Sequence, residues 1–293
     1  MVSNLAFVRT FVTLAETGSF RDTASALNIS QPTVSQHIKK LEDSLGVSLF
    51  TRSNTLCSTT LQGETLLPYA HSLLTSAERF SAAAKGDHIS IGCSGNIANY
   101  YIASGLQKYI EHNPDSLTWN ISVATNPEIA DKLEEGLIDI AIMEWPDERP
   151  SFKVRLWREE KLVVIVPPNH PLRKKKEISI EELTGLSLIG GEKGSGTGTL
   201  LRNTLGKASD QLKIAHNLHS TEAVKNAVQA GLGCSIVLKK TVEDEAALSL
   251  LGVLNLKEVE LLKSFYVAYK KELPERSLPV ILADFLCANT NTE

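Results

Sequence analysis

The four cysteines of this 293-residue chain lie far apart, at positions 57, 93, 234 and 287. They form no C-x-x-C pair and have no histidine at metal-ligand spacing. This excludes a disulfide framework and the common zinc and dithiol motifs, and leaves reduced, buried thiols as the default. None of the seven histidines belongs to an H-E-x-x-H or similar cluster, so neither a metal nor a cofactor is expected. No run of eighteen apolar residues occurs, which excludes a helical membrane span. The opening MVSNLAFVRTFVTLAETG reads as a polar-punctuated amphipathic helix and not as a signal peptide, so a cytoplasmic protein is expected. Internal repeats and low-complexity segments are absent. A surplus of basic charge is also missing: 30 Lys and Arg face 34 Asp and Glu, a net charge of −4. Taken whole, that argues against a nucleic-acid binder, but charge has to be read domain by domain.

What is present points to several domains. A chain of 293 residues with 42% hydrophobic residues is too long for one core and predicts two or three. The most specific stretch is Thr17–Arg52, TGSFRDTASALNISQPTVSQHIKKLEDSLGVSLFTR. Phe20, Ala24, Leu27, Ile29, Val34, Ile38, Leu41, Leu45 and Val47 recur at helical spacing, with breaks at Asn28-Ile29-Ser30 and near Gly46. Two short helices joined by a tight turn have the shape of a helix-turn-helix. Ser30 is placed to cap the second helix, and Pro32 suits a first turn that needs no backbone donor. Val34, Ile38 and Leu41 make one apolar stripe. The opposite face carries Gln31, Thr33, Ser35, Gln36, Lys39 and Lys40: amides and hydroxyls near the helix start for base edges, lysines further on for phosphates. The alternative on periodicity alone is a plain helical bundle with a solvated polar face.

Gly18-Ser19-Phe20, Ala24, Ser30-Gln31-Pro32-Thr33-Val34-Ser35, Ile38, Leu41-Glu42, Leu45-Gly46-Val47, Leu49-Phe50 and Arg52 resemble the N-terminal domain of LysR-type transcriptional regulators. The likeness continues into Leu61-Gln62-Gly63-Glu64, where that family usually has Leu-Thr-x-Ala-Gly. Many specified positions in order make the resemblance far more specific than a lone short motif. It implies a winged helix-turn-helix over residues 1–60 that contacts double-stranded DNA through Ser30, Gln31, Pro32, Thr33, Ser35, Gln36, Lys39, Lys40 and Arg52. Where relatives often carry a second basic residue after Arg52, this chain has Ser53-Asn54-Thr55. Residues 1–62 hold Arg9, Arg21, Lys39, Lys40 and Arg52 against Glu16, Asp22, Glu42 and Asp43, which is five minus four, or +1, with His37 able to add to it. So thin a footprint predicts weak binding by one copy and a need for two.

Residues 61–87 are expected to be a linker helix and a short hinge. Leu66, Ala70, Leu73, Ala77 and Phe80 are spaced 4, 3, 4 and 3, an a/d stripe suited to a partner helix, with Pro68 near its start. The alternative is a helix packed on its own chain. The resemblance favours a homodimer through this helix, assembled further into a homotetramer that meets adjacent half-sites and bends the DNA between them, with RNA polymerase as a further partner.

Beyond Lys85-Gly86-Asp87-His88 the rhythm changes. Apolar runs Ile89–Cys93, Trp119–Ala124, Ile138–Met143, Leu162–Val166, Leu186–Ile189, Ile214–Leu218, Ser235–Leu238 and Phe265–Tyr269 read as strands. Helical patterns lie between them, near 100–111, 128–135, 199–205, 222–230 and 278–288. The alternation predicts α/β organisation with largely parallel sheets. Glu134–Ile142, the segment Val164–Leu172 and AVKNAVQAGLG (223–233) resemble the effector domain of the same family, which has a type II periplasmic-binding-protein fold. The resemblance implies two lobes over residues 88–293: one of about 88–166 with 264–293, the other of about 167–263, the chain crossing near Pro167 and returning near Leu262–Ser264.

A ligand then belongs between the lobes, beyond the carboxyl ends of strands. Three strand-to-helix junctions offer hydroxyls or amides with free backbone N–H groups: Ser94-Gly95-Asn96, Gly194-Ser195-Gly196-Thr197 and Ser220-Thr221. Ser94, Gly95, Asn96, Ser195, Gly196, Thr197, Ser220 and Thr221 are therefore the candidate effector residues, and they favour a small anionic metabolite. Gly194-Ser195-Gly196-Thr197 is also similar to a segment of relatives that regulate carbon fixation and sulfur metabolism. Any one junction is equally served by an ordinary N-cap or turn. Cys93 and Cys234, at strand ends near this cleft, are the only cysteines placed for redox sensing. The run Arg173–Lys176 reads as a solvated loop. No nucleophile–base pair is visible, so no enzyme is expected. A binding receptor or an enzyme built on the same two-lobed fold is the alternative, and it leaves residues 1–84 unexplained.

Overall fold

The computed structural model describes residues 4–52, 57–84, 88–113, 117–191, 196–218 and 220–289. The chain divides into two compact units, Met1–Gly86 and Asp87–Glu293.

In the first unit, α1 (Leu5–Thr17), α2 (Phe20–Ala26) and α3 (Gln31–Leu45) precede a two-stranded antiparallel wing, β1 (Phe50–Arg52) and β2 (Cys57–Thr59), and then α4 (Leu61–Ala83). Local signals set each helix end. Asn4 and Ser30 accept backbone N–H bonds from Ala6 and Thr33, starting α1 and α3. Gly18 (φ 64) and Gly46 (φ 71) end the same helices in the left-handed region, where a side chain would be strained. Asn28 takes φ 53 in the turn between α2 and α3, a conformation that Asn tolerates better than most residues. Val34, Ile38 and Leu41 are all buried, and Ile38 and Leu41 join Val8, Phe11, Leu14, Leu49 and Phe50 in one core.

α4 corrects the expected stripe. Ala70 is buried in its own chain's core, and Leu66, Leu67 and Leu74 pack against the same cluster. Leu73 and Phe80, at 44% and 80% exposure, lie on a different flank together with Tyr69 at 71%. The a/d spacing therefore spans two neighbouring flanks: the inner one packs on its own chain, and the outer one is an exposed apolar strip. Close approach fixes the start of α4. A Cβ on Gly63 would stand 2.3 Å from the Leu49 carbonyl oxygen, while the Thr60 hydroxyl donates to Ser48 O and accepts from Gly63 N.

The second unit runs β3 (His88–Cys93), α5 (Gly95–Tyr100), α6 (Ile102–His112), β4 (Thr118–Val123), α7 (Asn126–Glu134), β5 (Ile140–Met143), β6 (Phe152–Val166), β7 (Glu177–Ile178), α8 (Ile180–Thr184), β8 (Ser187–Ile189), α9 (Gly196–Leu205), β9 (Lys213–His216), α10 (Thr221–Gln229), β10 (Ser235–Leu238), α11 (Glu243–Ala247), β11 (Gly252–Leu256), β12 (Leu262–Lys270) and α12 (Leu278–Ala288). One lobe is built on the order β4-β3-β5-β12-β6. In the other, β10 and β11 flank β6, β7 follows β11, and the β8–β9 pair joins through a Leu188–Cys234 bridge.

The sheets are mixed, not largely parallel. β3 pairs parallel with β4 and β5, and β8 with β9, but every partner of β6 and β12 is antiparallel. Those two strands are the hinge. β6 pairs with β12 up to the Lys161–Leu262 register, then with β10 from Leu162 and with β11 from Val164 onward. Partners thus change between Lys161 and Leu162, ahead of the expected crossing at Pro167, because one unbroken strand serves both lobes and Pro167 ends only the strand. β6 is also much longer than the expected Leu162–Val166, since its first ten residues, FKVRLWREEK, are charged and only partly buried. Where the sheet is covered on both faces, alternate residues divide between two cores: Ile140 and Ile142 face one, Ala141 and Met143 the other. That explains the uninterrupted apolar runs. Among the described residues no helix is long and apolar enough to cross a membrane.

Candidate functional site

In the first unit the exposed side of α3 presents Gln31, Pro32, Ser35, Gln36, Lys39 and Lys40 to solvent. The Ser30 and Thr33 hydroxyls are 2.8 Å apart and engage each other at the helix start, so these two act first as a cap. The Lys40 ammonium leans back over the Phe7 ring, 5.7 Å from its centroid. His37 is not the extra cation that its type allows: burial, with Lys40 nearby, pulls its pKa below 6.5, and Nδ1 sits 2.9 Å from the Thr10 hydroxyl. The Glu42 carboxylate faces inward and accepts N–H bonds from Leu49 and Phe50. Arg9 pairs with Glu78. The usable positive charge of this face therefore comes from Lys39 and Lys40. Arg52 ends β1; its side chain, like residues 53–56, lies outside the described residues.

In the second unit Asn96, Thr197, Ser220 and Thr221, drawn from three separate junctions, line one cavity of about 240 Å³ together with Glu144 and Lys263. The Thr221 hydroxyl donates to the Asn96 amide oxygen at 2.7 Å, joining the start of α10 in one lobe to α5 in the other. The hydroxyls of Thr197 and Ser220 carry no hydrogen bond among the described residues. Ser195 and Gly194 lie outside the described residues. Gly95 opens α5 and lies open to solvent. Gly196, Glu144 and Lys263 also border a neighbouring cavity of about 530 Å³ that contains Trp145, Leu200, Leu262 and Tyr266. A side chain at Gly196 would meet the Trp145 ring at 2.7 Å and the Lys263 ammonium at 3.3 Å, so the start of α9 can close on this wall only as glycine.

The residues that sequence reasoning missed are Glu144 and Lys263. Their side chains are 10% and 6% exposed and form an ion pair. Glu144 also accepts from the Ser94 hydroxyl at 2.6 Å and from the Asn96 amide at 3.4 Å. Burial alone would raise the Glu144 carboxyl, but the Lys263 charge and these hydrogen bonds outweigh it and hold the pKa below 4.5. A signal for Glu144 did exist: it is the first charge after the fully buried strand β5, at a strand's carboxyl end. Lys263 carried none, since a lysine near a strand start reads as solvated. Burial pushes the Cys93 thiol up to about 12 and Cys234 up to about 11, so neither is a thiolate at neutral pH. Among the described residues no group of His, Cys, Asp and Glu is placed to hold a metal.

A winged helix-turn-helix joined in one chain to a two-lobed, cleft-bearing domain defines a DNA-binding transcriptional regulator with a small-molecule-binding module. Residues 5–64 match the bacterial regulatory helix-turn-helix of the LysR family, and residues 82–286 match the LysR substrate binding domain. The chain belongs to the LysR family. It is 39% identical over 194 residues to the HTH-type regulator PtxE of Stutzerimonas stutzeri, covering 66% of this chain and 99% of that one. It is 27% identical over 282 residues to the HTH-type transcriptional activator CmpR of a Synechocystis strain, covering 94% and 91%. In fold it resembles full-length CbnR in complex with its target DNA (TM-score 0.77, 20% identity, 98% and 100% coverage). These likenesses are all to regulators, and the enzyme alternative finds no support in them.

Proposed function

We propose that operator binding by this regulator is controlled by a small anionic metabolite held between the lobes of the second unit. One observation carries the reading: Asn96, Thr197, Ser220 and Thr221, expected separately from the sequence, line a single cavity beside the buried ammonium of Lys263. Two unengaged hydroxyls and a cation are the donors that an oxyanion needs. The ligand binds one arrangement of the lobes better than another and so shifts the population that grips DNA. Operator contact falls to Gln31, Ser35, Gln36, Lys39, Lys40 and Arg52, and a homodimer, assembled into a tetramer, supplies the second copy that so modest a basic face requires.

The test has two steps. A thermal-shift panel of central metabolites on the full chain identifies ligands. The hits are then titrated into gel shifts with the wild type and with Thr221→Ala. Loss of the dose–response in the variant, with operator affinity unchanged in the absence of ligand, supports the cleft as the effector site. Identical dose–response curves would remove it.

A further inference from the structure

The cleft already contains an anion of its own. Glu144 fills the lobe-one side of the cavity, with Ser94, Asn96 and Lys263 all directed at its two oxygens. Lys263 is the sole cation, and Glu144 the sole other formally charged side chain, among the described residues that line either cavity. The formal charge of the described lining is therefore zero. Among the described residues of the smaller cavity, the Thr197 and Ser220 hydroxyls on the lobe-two side are left over for a ligand.

We propose that Glu144 is the specificity-determining residue of the cleft: its carboxylate occupies one anion position, so the effector is a ligand with a single negative charge, and dianions are rejected. This rests on the cleft being the effector site. A monoanion entering beside the pair leaves two negative groups sharing Lys263. A dianion brings a third negative charge close to the one cation of the described lining, and a surplus of like charge held close together is disfavoured. Glu144 thus decides among ligand classes that the hydroxyls alone accept equally.

The probes are inorganic sulfate as dianion and nitrate as monoanion. Both are titrated into the full chain by calorimetry against a chloride background of matched ionic strength. Glu144→Gln keeps the length and the acceptor oxygen but raises the lining charge by one unit. It is expected to bind sulfate at least about ten-fold more tightly than the wild type, with a smaller gain for nitrate. Glu144→Asp, which keeps the charge, is expected to show no gain, and Glu144→Gln combined with Lys263→Gln is expected to lose it. Should Glu144→Gln unfold by circular dichroism, Glu144→Ala takes its place, with a sulfate-dependent rise in melting temperature as the readout. Equal sulfate affinity in wild type and variant, or a gain in Glu144→Asp as large as in Glu144→Gln, overturns the proposal. Neither result bears on the Thr221→Ala experiment, so the cleft reading and the charge-selection reading fail separately.

Discussion

Glu144 and Lys263 behave oppositely in sequence and in space. Each is one charge among 64, yet together they are the most buried ion pair in the effector domain's cleft. Breaking such a pair from one side costs about 3–5 kcal/mol, because the remaining charge stays buried without its partner. The pair also has a pH signature. The Glu144 carboxyl lies below 4.5 in the folded chain, so the unfolded chain takes up the proton first. The stability it contributes is complete above its unfolded value and fades as pH falls through the folded one. Urea midpoints of the wild type and Glu144→Gln should therefore differ at neutral pH and converge below pH 4.5; a gap that stays constant to acid pH would contradict this. On the DNA face, Gln36→Ala should relax base preference in binding-site selection, whereas Lys39→Ala should weaken all sequences about equally and reduce the salt slope by about one. A uniform loss on Gln36→Ala would mean that another flank of α3 reads the bases. The residues of α3 were legible because a helix with one apolar stripe leaves little choice about what faces out. Glu144 was legible only as a charge in an unusual place, and Lys263 not at all, because its partner lies 119 positions away.

At the scale of elements, legibility followed the burial pattern. Ser235–Leu238 and Leu278–Ala288 were read with the bounds they have, the first buried throughout and the second strongly apolar with Pro279 in its first turn. The first ten residues of β6 were invisible, because a hinge strand carries charges that reach solvent. The two-residue β7 is too short for any period to show. The helix expected near 100–111 is α6, and the short α5 before it, set off by Tyr101 (φ −127), was not expected. The stripe read along α4 divides in use: Ala70 and Leu66 meet the core of their own chain, whereas Leu73 and Phe80 are exposed. The two faces make opposite predictions. Phe80→Glu, with Leu73→Glu as its companion, should shift the protein toward monomer in sedimentation velocity while leaving monomer stability within about 0.5 kcal/mol, as befits exposed positions. A bulky substitution at Ala70 should instead lower the melting temperature of the first unit, since an overpacked core costs about 1–3 kcal/mol. If Phe80→Glu and Leu73→Glu leave the association state untouched, the outer strip of α4 is not the dimer seam.

Across the whole effector domain, two strands join the lobes and a few side chains hold them together. Besides Thr221 and Asn96, the phenol of Tyr100, at the end of α5, donates to Glu222 on α10 and accepts from Lys225 at 3.2 Å. Burial and the Glu222 hydrogen bond raise the Tyr100 pKa, so the phenol remains a donor at physiological pH. Lys225 is 6% exposed and also bonds Glu222, Glu245 and the Thr241 carbonyl, all within its own lobe. Burial pulls its pKa down, but these bonds outweigh it and leave the value raised. Removing the Tyr100 hydroxyl therefore strips one tie between lobes without stranding the lysine. A hydrogen bond as exposed as this one contributes about 0.5–1.5 kcal/mol, which is enough to change the closed population when open and closed states differ by only a few kcal/mol. If the ligand binds the closed arrangement, its apparent affinity falls by the fraction of molecules still closed. Tyr100→Phe should then raise the radius of gyration of the ligand-free protein in solution scattering and move the effector dose–response to higher concentration by about three- to ten-fold, with the gap in scattering closing at saturating ligand. A shift to lower concentration would reverse the argument, because the Tyr100 tie would then be what the effector has to break on entry.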